Sequence, residues 1–247
     1  AEHFQDLLGI GSDRTKHERY GIIEAIKTFL ADSSRGQKNA KPLLSVADEA
    51  PHLLALESDP LDYLKLSSGD VSVAALNMAA YWNKRNGFFK GKGFLRPLTM
   101  TGQGALNEAD SEVFQSGFMV NLPNDNQGRP VVCYDRSFLE KDFACDLMSL
   151  MTPIMRCVLY VLAAASKEPQ ASEKGLVLLS IRQSDSTLLP FDDEFHEELQ
   201  AVIDSMPFAS SDMVTLILGV PRLAGRMPSS ENSPRRWLSL VIVRSPS

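Results

Sequence analysis

Residues 147 to 166 read LMSLMTPIMRCVLYVLAAAS, and shortly afterwards residues 175 to 181 read GLVLLSI. In the first stretch Met148, Met151, Met155, Val158 and Leu162 keep alternating spacings of three and four. Leu150, Ile154, Val161 and Ala165 fill another side of the same helix. A helix apolar nearly all round must be covered on several sides. The second stretch is a continuous apolar run bounded by turn residues, which reads as a strand buried on both faces. A chain holding both is driven to stack layers, helix upon sheet.

The flanking sequence supplies the other elements. Phe118-Met119-Val120 and Val131 to Tyr134 read as strands, and Val214 to Val220 as another buried strand. Asp192 to Met206 reads as an amphipathic helix. It points Phe195, Leu199, Val202 and Met206 inward and Asp193, Glu194, Glu197 and Glu198 mostly outward. The order strand, strand, helix, strand, helix, strand favours a three-layer α/β domain with parallel pairing. The loop-like run Met227 to Pro234 precedes Trp237 to Val243, an edge strand or a poorly packed tail.

Upstream the texture is helical. Ile22, Ile26, Phe29 and Leu30 share one helix face, and the polar stretch Ser33 to Asn39 reads as a loop. Asp59-Pro60 reads as an N-cap followed by proline at the first helical position. Asp70 caps a second helix through about Asn86, with Val71, Ala75, Met78 and Trp82 along one stripe. The expected organisation is a small all-helical region over residues 1–100, then an α/β domain over residues 101–247.

Composition excludes several classes. Twenty-five basic and 31 acidic residues give a net charge of −6, which argues against a general nucleic-acid binder. Three cysteines with no Cys-x-x-Cys, and four scattered histidines, supply neither a disulfide framework nor a dedicated metal site. They suggest a reducing, cytoplasmic setting. The longest apolar stretch, Leu147 to Ala165, is broken by Thr152, Pro153 and Arg156, so a membrane span is not expected. There is no Gly-x-Ser-x-Gly, and Gly87 to Gly93 lacks the spacing and the hydroxyl of a phosphate-cradling loop. Cys133 falls in a strand with no histidine nearby in sequence and reads as an inert core thiol. No catalytic residue and no cofactor site emerges, so the expected protein is not an enzyme.

Residues 128–134, Gly-Arg-Pro-Val-Val-Cys-Tyr, preceded by Asn124-Asp125-Asn126-Gln127, resemble the opening of the CRAL-TRIO lipid-binding domain. The likeness continues in order. Upstream lie Asp59 to Leu66, Asp70 to Leu76 and Tyr81-Trp82-Asn83-Lys84-Arg85, similar to that family's helical lead-in. Downstream come the long helix, the Gly175 strand, the helix ending at Met206-Pro207 and the strand ending at Gly219-Val220-Pro221. The span is roughly residues 58 to 222. Two features depart from the family. Pro207-Phe208-Ala209-Ser210 lacks the acid that phosphatidylinositol-binding members place there, and no gate helix can be matched after residue 222.

The resemblance implies a CRAL-TRIO-like three-layer domain with a mixed, largely parallel sheet and an internal cavity for a hydrophobic, lipid-like ligand. A chain of about 16 carbons loses on the order of 12 kcal/mol in water, at about 0.8 per CH₂. A carrier must therefore offer it a dry site. Positions matching the family's cavity are Val132 and Tyr134, Leu176, Leu178 and Ser180, and Met155, Val158 and Leu162, with Val202 and Phe208 added from the later helix. The methionines suit core packing or a deformable ligand wall. Lys84, Arg85, Lys90 and Lys92, among Phe88, Phe89 and Phe94, suit an anionic membrane surface or a solvated loop. The implied protein is a monomer that carries a lipid or presents it, touching membranes peripherally. The alternative is a protein-interaction module on the same fold with its cavity closed.

Overall fold

A computed structural model describes residues 13–32, 36–135, 138, 147–183, 192–218 and 242–244. Its first half is helical. α1 (Asp13–Asp32) buries Ile23, Ile26 and Leu30, with Ile22 and Phe29 packed more loosely beside them. α2 (Gly36–Glu49) begins inside the polar stretch expected to be a loop. Ala40, Leu43, Val46 and Ala47 are buried at helical spacing, and that packing overrides a polar first turn. α3 (His52–Glu57) and α4 (Pro60–Leu66) follow. As the sequence predicts, the Asp59 side chain caps α4, accepting from the Leu61 amide at 3.1 Å.

Asp70 caps α5 (Val71–Phe88) by accepting from the Ser72 and Val73 amides at 2.8 and 3.1 Å. The helix runs through Gly87 and is followed by a 3₁₀ turn at Gly91–Leu95. The sequence reading missed α6 (Glu108–Gln115). It is nucleated by a capping box in which the Asp110 amide donates to Asn107 at 3.1 Å and the Asn107 amide donates to Asp110 at 2.8 Å.

The second half is mixed α/β, with strands β1 (Met119–Leu122), β2 (Val131–Asp135), β3 (Leu176–Gln183), β4 (Ser211–Leu218) and β5 (Ile242–Arg244). They form one open sheet in the order β1-β2-β3-β4-β5. The central pairs β2–β3 and β3–β4 are parallel, as expected, and both outer pairs are antiparallel. β5 is the edge strand that one reading of the tail foresaw. Between the strands lie α7 (Leu147–Ala165), α8 (Ala171–Lys174) and α9 (Asp192–Asp204). Gly175 enters β3 at φ +84°, and a Cβ there would stand 2.3 Å from the Ser210 carbonyl oxygen, so only glycine passes so close to the start of β4.

One contiguous apolar core reaches from Ile23 in α1 to Phe208 beyond α9, so the helical half and the sheet share an interior. Polar contacts cross the same junction. The Tyr63 hydroxyl donates to the Ser205 carbonyl at 2.9 Å, and Lys84 pairs with Glu198 at 2.8 Å.

Candidate functional site

The sheet has two faces of different character, and strand alternation assigns each residue to one of them. Register places Met119 beside Tyr134, Val132 beside Leu178, and Tyr134 beside Ser180. This is the side on which the described helices meet the sheet. Phe195 of α9 packs its ring 5.9 Å from Tyr134 and 6.0 Å from Phe118, and α7 contacts β1 and β2.

Nine of the ten residues expected to line a cavity lie on this side or in the helices covering it, and Phe208 lies in the connection from α9 to β4. Val132, Tyr134, Met155, Val158, Leu162, Leu176, Leu178, Ser180 and Val202 are no more than 2% exposed, and Phe208 is 7% exposed. The structure does bring them together, as parts of a packed interior. Two hollows open elsewhere, of about 400 and 710 Å³, and none of the ten lines either.

The opposite face is also apolar and is less covered. Val120 and Leu122 on β1 are each 38% exposed. Val131, Val177, Leu179, Ile181, Val214 and Leu216 are half-buried, and Cys133 is buried among them. Register aligns them in rows: Leu122 with Val131 and Val177, Val120 with Cys133 and Leu179, and Leu179 with Val214. Among the described residues, the helices that pack on the sheet lie on the Tyr134 side. The sequence reading missed this face as a candidate. The signal was the unbroken run in β3, which is apolar in both phases and so demands burial on both sides.

Polar residues border this second face at the N-terminal ends of the parallel strands. Arg129 donates through Nε to Asp125 at 2.8 Å and through Nη1 to Asp212 at 2.6 Å. Strands lie about 4.8 Å apart. Arg129, just before β2, therefore reaches past β3 to the second residue of β4. Both pairings hold the guanidinium above its ordinary pKa, the Asp212 bond most strongly. Gly128 at φ +80° makes the turn, which is closed by the Gly128 amide on the Asp125 carbonyl at 2.9 Å. The Gly-Arg-Pro stretch thus sets the geometry at the head of β2.

The expected membrane-contact group needs a correction. Arg85 is fully buried, not at the surface. Its Nη1 lies 2.8 Å from Glu57, its Nε donates to the Phe94 carbonyl at 3.1 Å, and its Nη2 donates to the Arg96 carbonyl. The guanidinium carbon stands 5.2 Å from the Trp82 ring centre and 5.3 Å from that of Phe89. Glu57 also accepts from the Leu98 amide at 2.9 Å and the Tyr81 hydroxyl at 3.2 Å. Burial pushes the Glu57 carboxyl up, opposed by Arg85 and these two bonds. Lys84 is committed to Glu198, whereas Lys90 and Lys92 are exposed.

Among the described residues no group of histidine, cysteine and acidic side chains is placed to hold a metal ion, and no helix is long and apolar enough to cross a membrane. Cys157 is buried against α6, its thiol donating to the Asp110 carbonyl at 3.1 Å. Burial, then Asp110, pushes that thiol up to about 12, so it is a poor nucleophile. No protein-family model matches the chain, and no match is found among curated proteins.

Proposed function

We propose that the chain is a non-enzymatic carrier of a hydrophobic, lipid-like molecule, of CRAL-TRIO type, and that it takes this ligand on the second face of the sheet. The observation that carries the reading is the row of aliphatic side chains from Leu122 to Leu216, on the side away from α7 and α9. A contiguous apolar surface of this kind marks a binding site in a water-soluble setting. In this reading α7 and α9 are one outer layer, the sheet is the middle layer, and the ligand lies on the far side.

The energetics suit such a guest. Removing a chain of about 16 carbons from water contributes on the order of 12 kcal/mol. That is comparable with the roughly 4–15 kcal/mol lost on immobilising a bound molecule. The exposed Lys90 and Lys92 add about 1 kcal/mol each near an anionic membrane, enough for transient contact during exchange. A monomer is sufficient for this activity.

The decisive experiment is mass spectrometry of lipid extracted from the purified protein, repeated on Leu179→Glu and on Leu178→Ala. The expected result is one lipid class bound to the wild type, lost in Leu179→Glu and kept in Leu178→Ala. Lipid-free protein that takes up nothing from vesicles would overturn the reading. It would leave the second reading, a protein-interaction module, which the full burial of the ten expected cavity residues favours.

A further inference from the structure

Apart from the sheet, a cleft of about 400 Å³ opens where α3 and α4 meet the chain leaving α7. This is at the lower end of small-molecule pockets, which run from about 300 to 1,000 Å³. Its walls carry three basic side chains, Arg19, Lys65 and Lys167, and three acidic ones, Asp59, Asp62 and Glu168. The balance favours neither a simple anion nor a simple cation.

Most of these charges are already committed. Arg19 grips Asp59 through Nε at 2.9 Å and also through Nη2, while Asp59 caps α4. Lys65 pairs with Glu173 at 2.7 Å, and Glu168 accepts from Asn124 at 3.4 Å. Asp62 and Lys167 differ. Both face the cleft; among the described residues no direct hydrogen bond or ion pair holds either side chain, and each feels the other as an opposite charge across the hollow. Beside them the cleft has an apolar wall that includes Leu56, which is 50% exposed, and Pro169. A carboxylate, an ammonium not in direct contact with it and an aliphatic patch lie in one hollow.

We propose that this cleft binds a free aliphatic α-amino acid, with its ammonium on Asp62, its carboxylate on Lys167 and its side chain against Leu56 and Pro169. Each charged end meets its complement, and a zwitterion placed between Asp62 and Lys167 breaks no direct hydrogen bond of either. Burial, then the neighbouring Asp59 carboxylate, pushes the Asp62 carboxyl up against the opposing charges of Lys167, Arg19 and Lys65, and an ammonium in direct contact adds to that opposing set. The site lies on other elements than the sheet face and stands or falls separately from the lipid reading.

The test is calorimetric titration of the whole chain with L-leucine, isoamylamine, 4-methylpentanoate and glycine. The amine and the acid each lack one charged end, and glycine lacks the side chain. Leucine is expected to bind, and each of the other three to bind about tenfold more weakly or worse, since a charged hydrogen bond contributes roughly 1.5–3 kcal/mol. Asp62→Asn and Lys167→Met should each weaken leucine by about tenfold while the ligand-free protein keeps its folded circular-dichroism spectrum. Leu56→Ala should weaken leucine and leave glycine as it was. Absence of heat with leucine, valine, isoleucine and methionine at millimolar concentration overturns the proposal. So does binding that survives unchanged in both charge variants, or an amine or acid that binds as tightly as leucine.

Discussion

Leu178 and Leu179 are neighbours in one strand, have the same side chain, and face opposite environments. Leu178 points under α7 and α9 and is 1% exposed, whereas Leu179 points to the other side and is half-buried. The same holds for Val132 against Val131 on the neighbouring strand, whereas Cys133, which faces away from Tyr134, is itself buried. On one side apolar groups are consumed by packing, and their contribution is stability. On the other they are not met by the described helices, and it is these that the proposed function assigns to a guest. Within each strand, neighbouring residues alternate between these two faces.

That contrast can be broken by substitution. The largest effect is expected at the far end of the helix-side interior. Arg85→Ala strands the buried Glu57 carboxyl and should cost about 3–5 kcal/mol in urea unfolding. Lys90→Ser and Lys92→Ser should stay within about 0.5 kcal/mol. Equal costs would refute the burial of Arg85. Next comes the parity pair itself. Leu178→Ala should cost about 2–5 kcal/mol, and Leu179→Ala about 1 kcal/mol in ligand-free protein, because a half-buried side chain leaves a smaller void. A larger loss at Leu179 than at Leu178 would invert the assignment of faces.

Thiol chemistry sharpens the comparison with a milder probe. Alkylation at pH 8, read by peptide mass spectrometry, should modify Cys133 before Cys157. A thiol with pKa about 12 is roughly one part in ten thousand thiolate at that pH, whereas Cys133, also raised by burial, borders the open face. Bound lipid should slow Cys133 further and leave Cys157 unaffected. Equal rates in the absence of ligand would contradict this. The smallest effect is expected at the rim, where Asp212→Asn removes one partly exposed pairing of Arg129 and should cost about 0.2–1 kcal/mol, less at high salt.

Much of the architecture was legible in the residues. The spacing in α7, the Asp59 and Asp70 caps and the unbroken run of β3 each carry a local physical cause, and the parallel centre of the sheet follows from their order. The phase of the sheet was not legible. Val177, Leu178, Leu179 and Ile181 are all apolar, so alternation offers no contrast from which to choose the helix-covered side. Only the position of α7 and α9, a property of the assembled molecule, breaks the tie.

Arg85 misled for a different reason. It stands among Lys84, Lys90 and Lys92, which read together as a surface. Yet it lies three residues after Trp82 and four before Phe89, on the stripe that begins with Ala75 and Met78. Its helical position outweighed its charge, and Glu57, in a separate helix, supplied the partner that sequence proximity does not reveal. The start of α2 reads as a loop because its first turn is polar, and α6 was missed because a short helix leaves little periodicity to read.

The central claim is that the guest lies against the odd-numbered residues of β3 and the side chains in line with them. A photoactivatable fatty acid carrying a diazirine along its chain tests this most directly, with crosslinked peptides mapped after irradiation. The account predicts labels on Val131, Cys133, Val177, Leu179 or Val214. Labels on Met155, Val158, Leu162 or Leu178, or none on the sheet, would contradict it.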